Sequence, residues 1–270
     1  MKRLLILAVA AMTWCVAALA QDSVKVRSVQ GMLDTEVVKP ASLKPGQKCP
    51  VVILMHGFSG QKKSRLFDEL IQQLTEKNCA VVRFDFIGHG KSDGEFKDMT
   101  LPYQLEDAKA IINYVESLDF CESISLLGHS QGGVVASMTA GNLGASKIKK
   151  IVLMAPAAKL REDALRGSTM GKQYNPRDPG EGVEMFGGRV LGAEYIRTAQ
   201  TLPIYEVSRK YTGPVLLLHG TYDTVVPWTF SEYYSFIYQD YELEYIEGAD
   251  HGFSKVIPEV AAKAVTFLTK

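Results

Sequence analysis

One short turn constrains this chain more than any other feature of its sequence. Residues 128–132 read Gly-His-Ser-Gln-Gly, with the apolar run 124–127 before them and the apolar residues 134–136 after them. A strand therefore enters the turn and a helix leaves it, which is the context of a nucleophile elbow. The glycines leave room for the tight backbone, and the turn lifts the serine side chain above the sheet edge. The pattern predicts that Ser130 is a nucleophile.

Continuous apolar runs alternate with helical patterns over most of the chain. Apolar residues recur at helical spacing within 67–74 and 105–115. Strands that alternate with helices predict an α/β fold with a mostly parallel, doubly wound sheet, whose sites collect at the carboxyl ends of the strands. The runs are Val51 to Met55, Ala80 to Phe84, Ser123 to Leu127, Ile148 to Met154 and Val215 to Leu218.

Two further segments depart from this alternation. Residues 24–29 and 33–38 alternate apolar and polar side chains, which predicts an antiparallel hairpin at the start of the fold. Residues 157–203 are irregular and rich in Gly, Arg and Tyr, with a strong turn signal at 174–180. We expect this second segment to be a small lid inserted into a single domain that spans residues 21–270.

Residues 1–20 have the composition of a secretory signal peptide. A basic start and the apolar block 4–19 precede an Ala-Leu-Ala site at 18–20. We expect cleavage after Ala20 and export to the periplasm or the medium, and a transmembrane anchor is the alternative. Thirty basic residues balance thirty acidic ones, which argues against binding to nucleic acid or to an anionic membrane.

The cysteines that follow the signal peptide are Cys49, Cys79 and Cys121. Their odd number leaves at least one thiol free or paired between chains, and the sequence does not fix whether any two of them pair. Each lies at or just before the start of an apolar strand, so we expect small buried hydrophobic side chains. Their spacing matches no metal site, and a homodimer is compatible with the sequence.

A serine nucleophile needs a base and an acid at later strand ends. Asp223 follows the run 215–218, and His251 follows the apolar segment 241–246, which predicts Ser130, Asp223 and His251 as a catalytic triad. Asp250 is the alternative acid, but a contorted loop would be needed for it to reach the ring of the adjacent histidine.

An oxyanion also needs two hydrogen-bond donors. The backbone amide of Gln131 lies at the helix N-terminus, and the amide of Phe58 lies in the turn after the first long parallel strand. We expect these two amides to form the oxyanion hole. Asp85 is expected to bind loop amides, and the remaining histidines are expected to bind local backbone: His56, His89, His129 and His219.

With these motifs together, the chain from about residue 51 onward resembles the α/β-hydrolase superfamily. Several stretches are similar to bacterial cinnamoyl or feruloyl esterases: Phe84 to Gly94, Gly128 to Ser137, Ala155 to Ala158 and Leu202 to Val207. The resemblance implies a serine esterase that needs no cofactor and acts on an aromatic ester or a feruloylated oligosaccharide. Export would suit an enzyme that removes feruloyl groups from plant cell-wall fragments.

In that family the lid binds the phenolic hydroxyl of the substrate. The matching positions here are Asp163 and Tyr195, and Met170 occupies a position that usually holds glutamine, so this chain departs from the family there. The alternative is that Asp163 caps a helix or pairs with Arg161 or Arg166, and that Tyr195 belongs to the core of the lid.

Other functions on the same fold stay open at the level of sequence. A general carboxylesterase or monoacylglycerol lipase would share the catalytic residues, but the predicted lid carries many charges and favours a polar or aromatic substrate. An exopeptidase is a further alternative. A binding protein without catalysis would be expected to lack Ser130, Asp223 or His251, and this chain retains all of them.

Overall fold

The computed structural model describes residues 20–270. The predicted signal peptide lies, apart from Ala20, outside this part of the chain, so export stays a prediction. The strands are β1 (Ala20–Arg27), β2 (Met32–Lys39), β3 (Cys49–Met55), β4 (Ala80–Phe84), β5 (Cys121–His129), β6 (Ile148–Met154), β7 (Ser168–Thr169), β8 (Lys172–Gln173), β9 (Gly182–Glu184), β10 (Val190–Gly192), β11 (Val215–Gly220) and β12 (Tyr241–Ile246). The α-helices are α1 (Arg65–Glu76), α2 (Leu101–Glu116), α3 (Gln131–Leu143), α4 (Leu160–Arg166), α5 (Ala193–Gln200), α6 (Ile204–Ser208), α7 (Thr229–Ser235) and α8 (Ile257–Thr269).

A single eight-stranded sheet organises the fold, in the order β1-β2-β4-β3-β5-β6-β11-β12. The strands from β3 onward in this sheet pair in parallel, and β2 is antiparallel to both of its neighbours. The predicted mostly parallel sheet and its leading hairpin are therefore confirmed. Since the parallel strands share one direction, their carboxyl ends meet at one edge, where the turns can assemble a site.

The apolar runs are continuous because helices cover both faces of the sheet. In β3, Val51 and Ile53 belong to one hydrophobic cluster, whereas Val52 and Leu54 belong to the other. Helices α2 and α3 pack on the first face, and α1 and α8 pack on the second. A strand buried on both sides cannot alternate with polar residues, which explains the sequence pattern.

The segment between β6 and β11, which we call the insertion, contains two small ribbons and three α-helices. β7 pairs with β8, β9 pairs with β10, and α4 and α5 flank these ribbons. The insertion occupies the region that the sequence predicts as a lid, and it lies beside the carboxyl edge of the sheet. Its role as a lid stays a prediction.

Two further expectations concern the burial of the cysteines and the alternative of a transmembrane helix. Cys49 and Cys79 are buried as expected, but Cys121 is only half-buried, and none of the three is in a disulfide within residues 20–270. None of the helices in the same range is both long enough and apolar enough to span a membrane.

A buried ion cluster ties the leading hairpin to the turns at the carboxyl edge. Lys62 follows β3, Asp34 lies in β2 and Asp85 directly follows β4, and each of these residues is at most 7% exposed. The Lys62 ammonium pairs with Asp34 and lies 3.0 Å from Asp85 Oδ2. Asp85 also accepts the backbone N–H of Lys62 at 2.6 Å and that of Lys91 at 3.0 Å, so it binds loop amides as expected. Burial alone would raise the pKa of Asp34, but the Lys62 ammonium lowers it below its usual value.

We expect Lys62→Met to lower the free energy of unfolding by about 3 to 5 kcal/mol. The substitution removes the cation and leaves two buried carboxylates without their partner. Urea unfolding followed by circular dichroism measures the loss.

The matched control is Lys63→Met, because the neighbouring side chain is 64% exposed. This control should change the free energy of unfolding by at most about 1 kcal/mol. Equal effects of the two substitutions would contradict a structural role for the buried cluster.

Candidate active site

The turn between β5 and α3 holds Ser130 in a conformation that few L-residues adopt. Its φ is 57° and its ψ is −122°, and such a strained backbone persists only where the surroundings fix it. A Cβ on Gly128 would lie 2.1 Å from the carbonyl oxygen of Gly132, and a Cβ on Gly132 would lie 2.1 Å from that of Met55. The two glycines are therefore required because α3 packs directly against β5 and β3.

The structure brings together the three side chains of the predicted triad. Ser130 Oγ lies 2.9 Å from His251 Nε2, and His251 Nδ1 lies 2.7 Å from Asp223 Oδ2. In the neutral tautomer that this geometry favours, Nδ1–H donates to the carboxylate and Nε2 accepts the hydroxyl proton of the serine. Three segments that end different strands thus form one continuous row of hydrogen bonds.

The Asp223 carboxylate is fully buried, and both of its oxygens accept hydrogen bonds. Its Oδ1 accepts the backbone N–H groups of Val225 and Val226 at 2.8 Å each, while Oδ2 accepts from His251 and from His219 Nε2. Burial alone would raise the pKa of Asp223, but the hydrogen bonds from both histidines hold it well below its usual range. The carboxylate therefore stays ionised and can orient an imidazole.

Sequence reasoning missed the contribution of His219. Its side chain is completely buried, and Nε2 contacts both Asp223 Oδ2 at 3.1 Å and the carbonyl of Val226 at 2.9 Å. Ser231 Oγ lies 2.7 Å from the other ring nitrogen. The backbone contact agrees with the expectation for His219, but the contact with the carboxylate depends on the fold of the turn after β11, which the sequence does not reveal.

Asp250, the alternative acid, is engaged elsewhere. Its Oδ1 accepts the backbone N–H of Ser254 at 2.8 Å, and its second oxygen contacts the Ser254 hydroxyl. It therefore stabilises the turn that carries His251, and the ring of that histidine is oriented by Asp223.

The two residues whose backbone amides are predicted to form the oxyanion hole lie in the same cavity as Ser130. Phe58 and Gln131 both line the cavity at the serine, and within residues 20–270 neither amide donates to another backbone carbonyl. Gly57, which precedes Phe58, packs so close that a Cβ there would lie 2.9 Å from the Cβ of Ser130.

His56 fixes the orientation of the Phe58 amide. Its Nδ1 lies 2.9 Å from the carbonyl oxygen of Gly57, and its Nε2 accepts the backbone N–H of Phe86 at 3.1 Å. The Gly57 carbonyl and the Phe58 N–H belong to one trans peptide unit, so they point in opposite directions. With the carbonyl held by His56, the N–H is directed away from that ring.

The remaining histidines also bind backbone, as expected. His89 Nδ1 lies 3.0 Å from the carbonyl of Ile87, and His129 Nε2 lies 2.8 Å from the carbonyl of His251. Burial lowers the pKa of His89 and lowers the pKa of His129 to about 4. Both rings are therefore neutral at physiological pH.

A cavity opens at Ser130, and we call it the serine cavity. Its apolar wall is formed by Phe58, Ala157, Leu160, Met170, Tyr195, Val225 and Val226. Its polar lining is formed by Ser130, Gln131, Lys159, Asp163 and Thr169.

All three predicted substrate-binding residues line the serine cavity, but their contacts differ from the expectations. Asp163 pairs with Lys159 at 3.2 Å, whereas the sequence suggested Arg161 or Arg166 as its partner. Lys159 precedes Asp163 by one helical turn, so spacing could have indicated it. Burial raises the pKa of Asp163 even though Lys159 opposes this change.

Tyr195 and Met170 contribute different surfaces to the serine cavity. Tyr195 is 2% exposed, and its hydroxyl donates to Gln131 Oε1 at 2.8 Å. Met170 lies in the turn between β7 and β8 with a φ of 49°, and it is 41% exposed. The tyrosine hydroxyl is thus already bonded, while the methionine side chain is open to the cavity.

Sequence comparisons find relatives among hydrolases. The Hydrolase_4 family model, described as serine aminopeptidase, S33, matches residues 46–174, which include Ser130 but end before Asp223 and His251. The uncharacterized protein YfhR of Salmonella typhi is 28% identical over 214 residues, which cover 77% of this chain and 66% of that protein's length. The monoglyceride lipase of Rattus norvegicus is 29% identical over 247 residues and 78% of each chain.

The structural comparison extends over nearly the whole chain. Est1E from Butyrivibrio proteoclasticus, solved with bound ferulic acid, superposes with a TM-score of 0.87 and 32% sequence identity. The match covers 91% of this chain and 97% of Est1E. The structural match is therefore much longer than the match of the family model, which ends at residue 174.

The buried His56 predicts a dependence of stability on pH. Burial, with the nearby His89, lowers the pKa of His56 from 6.5 to about 3. Between these values the unfolded chain binds more protons than the folded one, so the free energy of unfolding falls as the pH falls. From pH 7 to pH 5 we expect His56 to account for a loss of about 2 kcal/mol.

Urea unfolding of wild type and His56→Gln at both pH values isolates this contribution. The loss between pH 7 and pH 5 should be about 2 kcal/mol smaller in the variant, whatever its stability at pH 7. Between pH 7 and pH 8 the two proteins should respond alike. If the free energy of unfolding fell equally in both proteins between pH 7 and pH 5, a neutral, buried His56 would be contradicted.

Proposed function

Since this chain belongs to the α/β-hydrolase superfamily, we propose that it is a serine esterase that hydrolyses hydroxycinnamoyl esters through an acyl-enzyme. The observation that carries the proposal is the row of hydrogen bonds from Asp223 through His251 to Ser130, at a cavity with a largely apolar wall. The similarity to Est1E with bound ferulic acid supports the choice of acid.

In the proposed first step, Ser130 Oγ attacks the carbonyl carbon of the ester while His251 Nε2 takes the hydroxyl proton. The carbonyl oxygen becomes an oxyanion, to which the amides of Phe58 and Gln131 donate. The C–O bond to the alcohol then breaks, and His251 gives its proton to the departing oxygen. The acid remains bound to Ser130 as an ester.

In the second step, His251 removes a proton from water, and the resulting hydroxide attacks the acyl-enzyme carbonyl. The same two amides bind the second oxyanion, and Ser130 recovers its proton from His251 as the acid leaves. Asp223 stays ionised throughout and stabilises the imidazolium, because its carboxylate is held by two amides and two histidines.

The serine cavity can hold the aromatic ring of the acid. Phe58, Leu160 and Val226 offer apolar contact, and the Lys159–Asp163 ion pair supplies charged groups that can bind a phenolic hydroxyl. In this proposal Asp163 is the main acceptor. Tyr195 acts through Gln131, to which its hydroxyl is bonded.

A monoacylglycerol lipase is the second candidate, because the rat monoglyceride lipase is similar over 78% of this chain. The partly buried ion pair in the serine cavity disfavours it, since a long alkyl chain would desolvate Lys159 and Asp163 without replacing their lost hydrogen bonds to water. An aminopeptidase, suggested by the name of the matching family model, would share the triad.

We also propose that the enzyme is exported. This part of the proposal is supported only by the composition of residues 1–20, which is typical of a signal peptide.

Steady-state hydrolysis of methyl ferulate, methyl cinnamate and a long-chain monoacylglycerol tests the proposal. We expect the highest kcat/KM for methyl ferulate. In Asp163→Ala the preference for ferulate over cinnamate should shrink by about 1 to 3 kcal/mol, because a site built to bind a hydroxyl loses that bond only with the hydroxylated substrate.

Asp178→Ala is the matched control, since Asp178 is an exposed carboxylate of the same insertion outside the serine cavity. It should leave the preference unchanged. Equal losses on both aromatic esters in Asp163→Ala would show that Asp163 only supports the insertion, and a preference for the monoacylglycerol would favour the lipase.

A further inference from the structure

The turn after β3, residues 56–60, which we call the oxyanion turn, also lines a second, larger cavity. This cavity has a volume of about 720 Å³. Its wall includes Gly57 of the oxyanion turn, His129 of the elbow and Gly252, the neighbour of His251. The second cavity therefore touches each of the three segments that hold the reacting groups.

The chemistry of the proposed esterase gives the second cavity a role. His251 must protonate the oxygen of the departing alcohol, so the alcohol portion of the ester lies beside this ring and away from the acid. Gly252 follows His251 in the chain, and His129 is hydrogen-bonded to the His251 carbonyl at 2.8 Å. The second cavity thus adjoins the segment that carries His251, which makes it a candidate site for the alcohol portion.

The charged side chains of the second cavity are all cationic. Lys63, Arg65 and Arg189 line it, and no carboxylate of residues 20–270 does. Lys63 has a carboxylate partner at 3.9 Å, but neither arginine takes part in a salt bridge within the described part of the chain. The two imidazoles in the wall, His56 and His129, are neutral at pH 7 because burial lowers their pKa values.

Arg189 is held in position by contacts with groups that carry no negative charge. Its Nη1 donates to the carbonyl of Ser59 at 3.2 Å, and its guanidinium lies 5.5 Å from the centre of the Phe96 ring. The side chain thus bridges the insertion and the oxyanion turn. Its positive charge remains available to an anion in the cavity.

We propose that the second cavity binds the alcohol portion of the substrate and selects esters in which this portion carries a carboxylate. The proposal rests on the function proposed above, because it takes the acid to occupy the serine cavity. The new element is a preference for a negatively charged leaving group. Arg65 and Arg189 are the residues that determine this preference.

The test compares two ferulate esters of equal shape, the ester of glycolic acid and the ester of glycolamide. They differ by one negative charge on the alcohol portion. At low ionic strength, kcat/KM for the glycolate ester should exceed that for the glycolamide ester by roughly threefold to tenfold, and about 0.5 M salt should remove most of the difference.

The variants Arg65→Gln and Arg189→Gln should each lower the ratio of the two kcat/KM values by roughly two- to fivefold. Arg177→Gln is the matched control, because Arg177 is an exposed arginine of the insertion that does not line the second cavity. It should leave the ratio unchanged. The ratio is used because Arg189 also contacts the oxyanion turn, so its loss can lower both rates together.

A ratio near one in the wild type, or an equal fall of the ratio in Arg177→Gln, would overturn the proposal. If instead the protein is not a feruloyl esterase, neither ferulate ester should be hydrolysed. In that case the O-acetyl esters of glycolic acid and glycolamide test the second cavity in the same way, since they need no aromatic acid.

Discussion

The strained turn at Ser130 is the constraint on which the rest of the site depends. Glycines on both sides of it let α3 pack closely, since Gly128 adjoins the carbonyl of Gly132 in α3 and Gly132 adjoins the carbonyl of Met55 in β3. Helix α3 begins at Gln131, directly after the serine. The predicted nucleophile and one predicted oxyanion donor thus depend on one local feature, and the turns after neighbouring strands need only bring Asp223 and His251 to it. This explains why the site lies at the carboxyl edge of the sheet.

Buried polar contacts provide the rigidity that such a site requires. His56 holds the peptide unit before Phe58, and the cluster of Lys62, Asp34 and Asp85 ties the same turn to the leading hairpin. On the opposite side, His219 joins His251 in binding Asp223. Each of these groups would be costly to bury alone, but together they satisfy one another. The amide proposed for the oxyanion hole and the proposed acid are therefore held by contacts within the protein, as preorganised catalysis requires.

Much of this arrangement could be predicted from sequence because it follows local rules. Apolar runs indicated the parallel strands, and the glycines of the elbow indicated the turn at Ser130. The contacts that the sequence did not reveal join distant segments, such as the bond between Tyr195 and Gln131, which are 64 residues apart. The pairing of Asp163 with Lys159 was missed for another reason, because several cations lie within reach on one short helix and the fold selects among them. The ribbons of the insertion have two or three residues per strand, too few to show a period.

The central claim is that Ser130 is the nucleophile, and covalent titration tests it most directly. A p-nitrophenyl phosphonate reacts with an activated serine and releases one p-nitrophenolate for each serine modified. Release of one equivalent, a mass adduct on the peptide that contains Ser130, and a loss of methyl ferulate hydrolysis in proportion to the adduct are the predicted results. An adduct on another residue, or full modification of Ser130 with hydrolysis intact, would contradict the account.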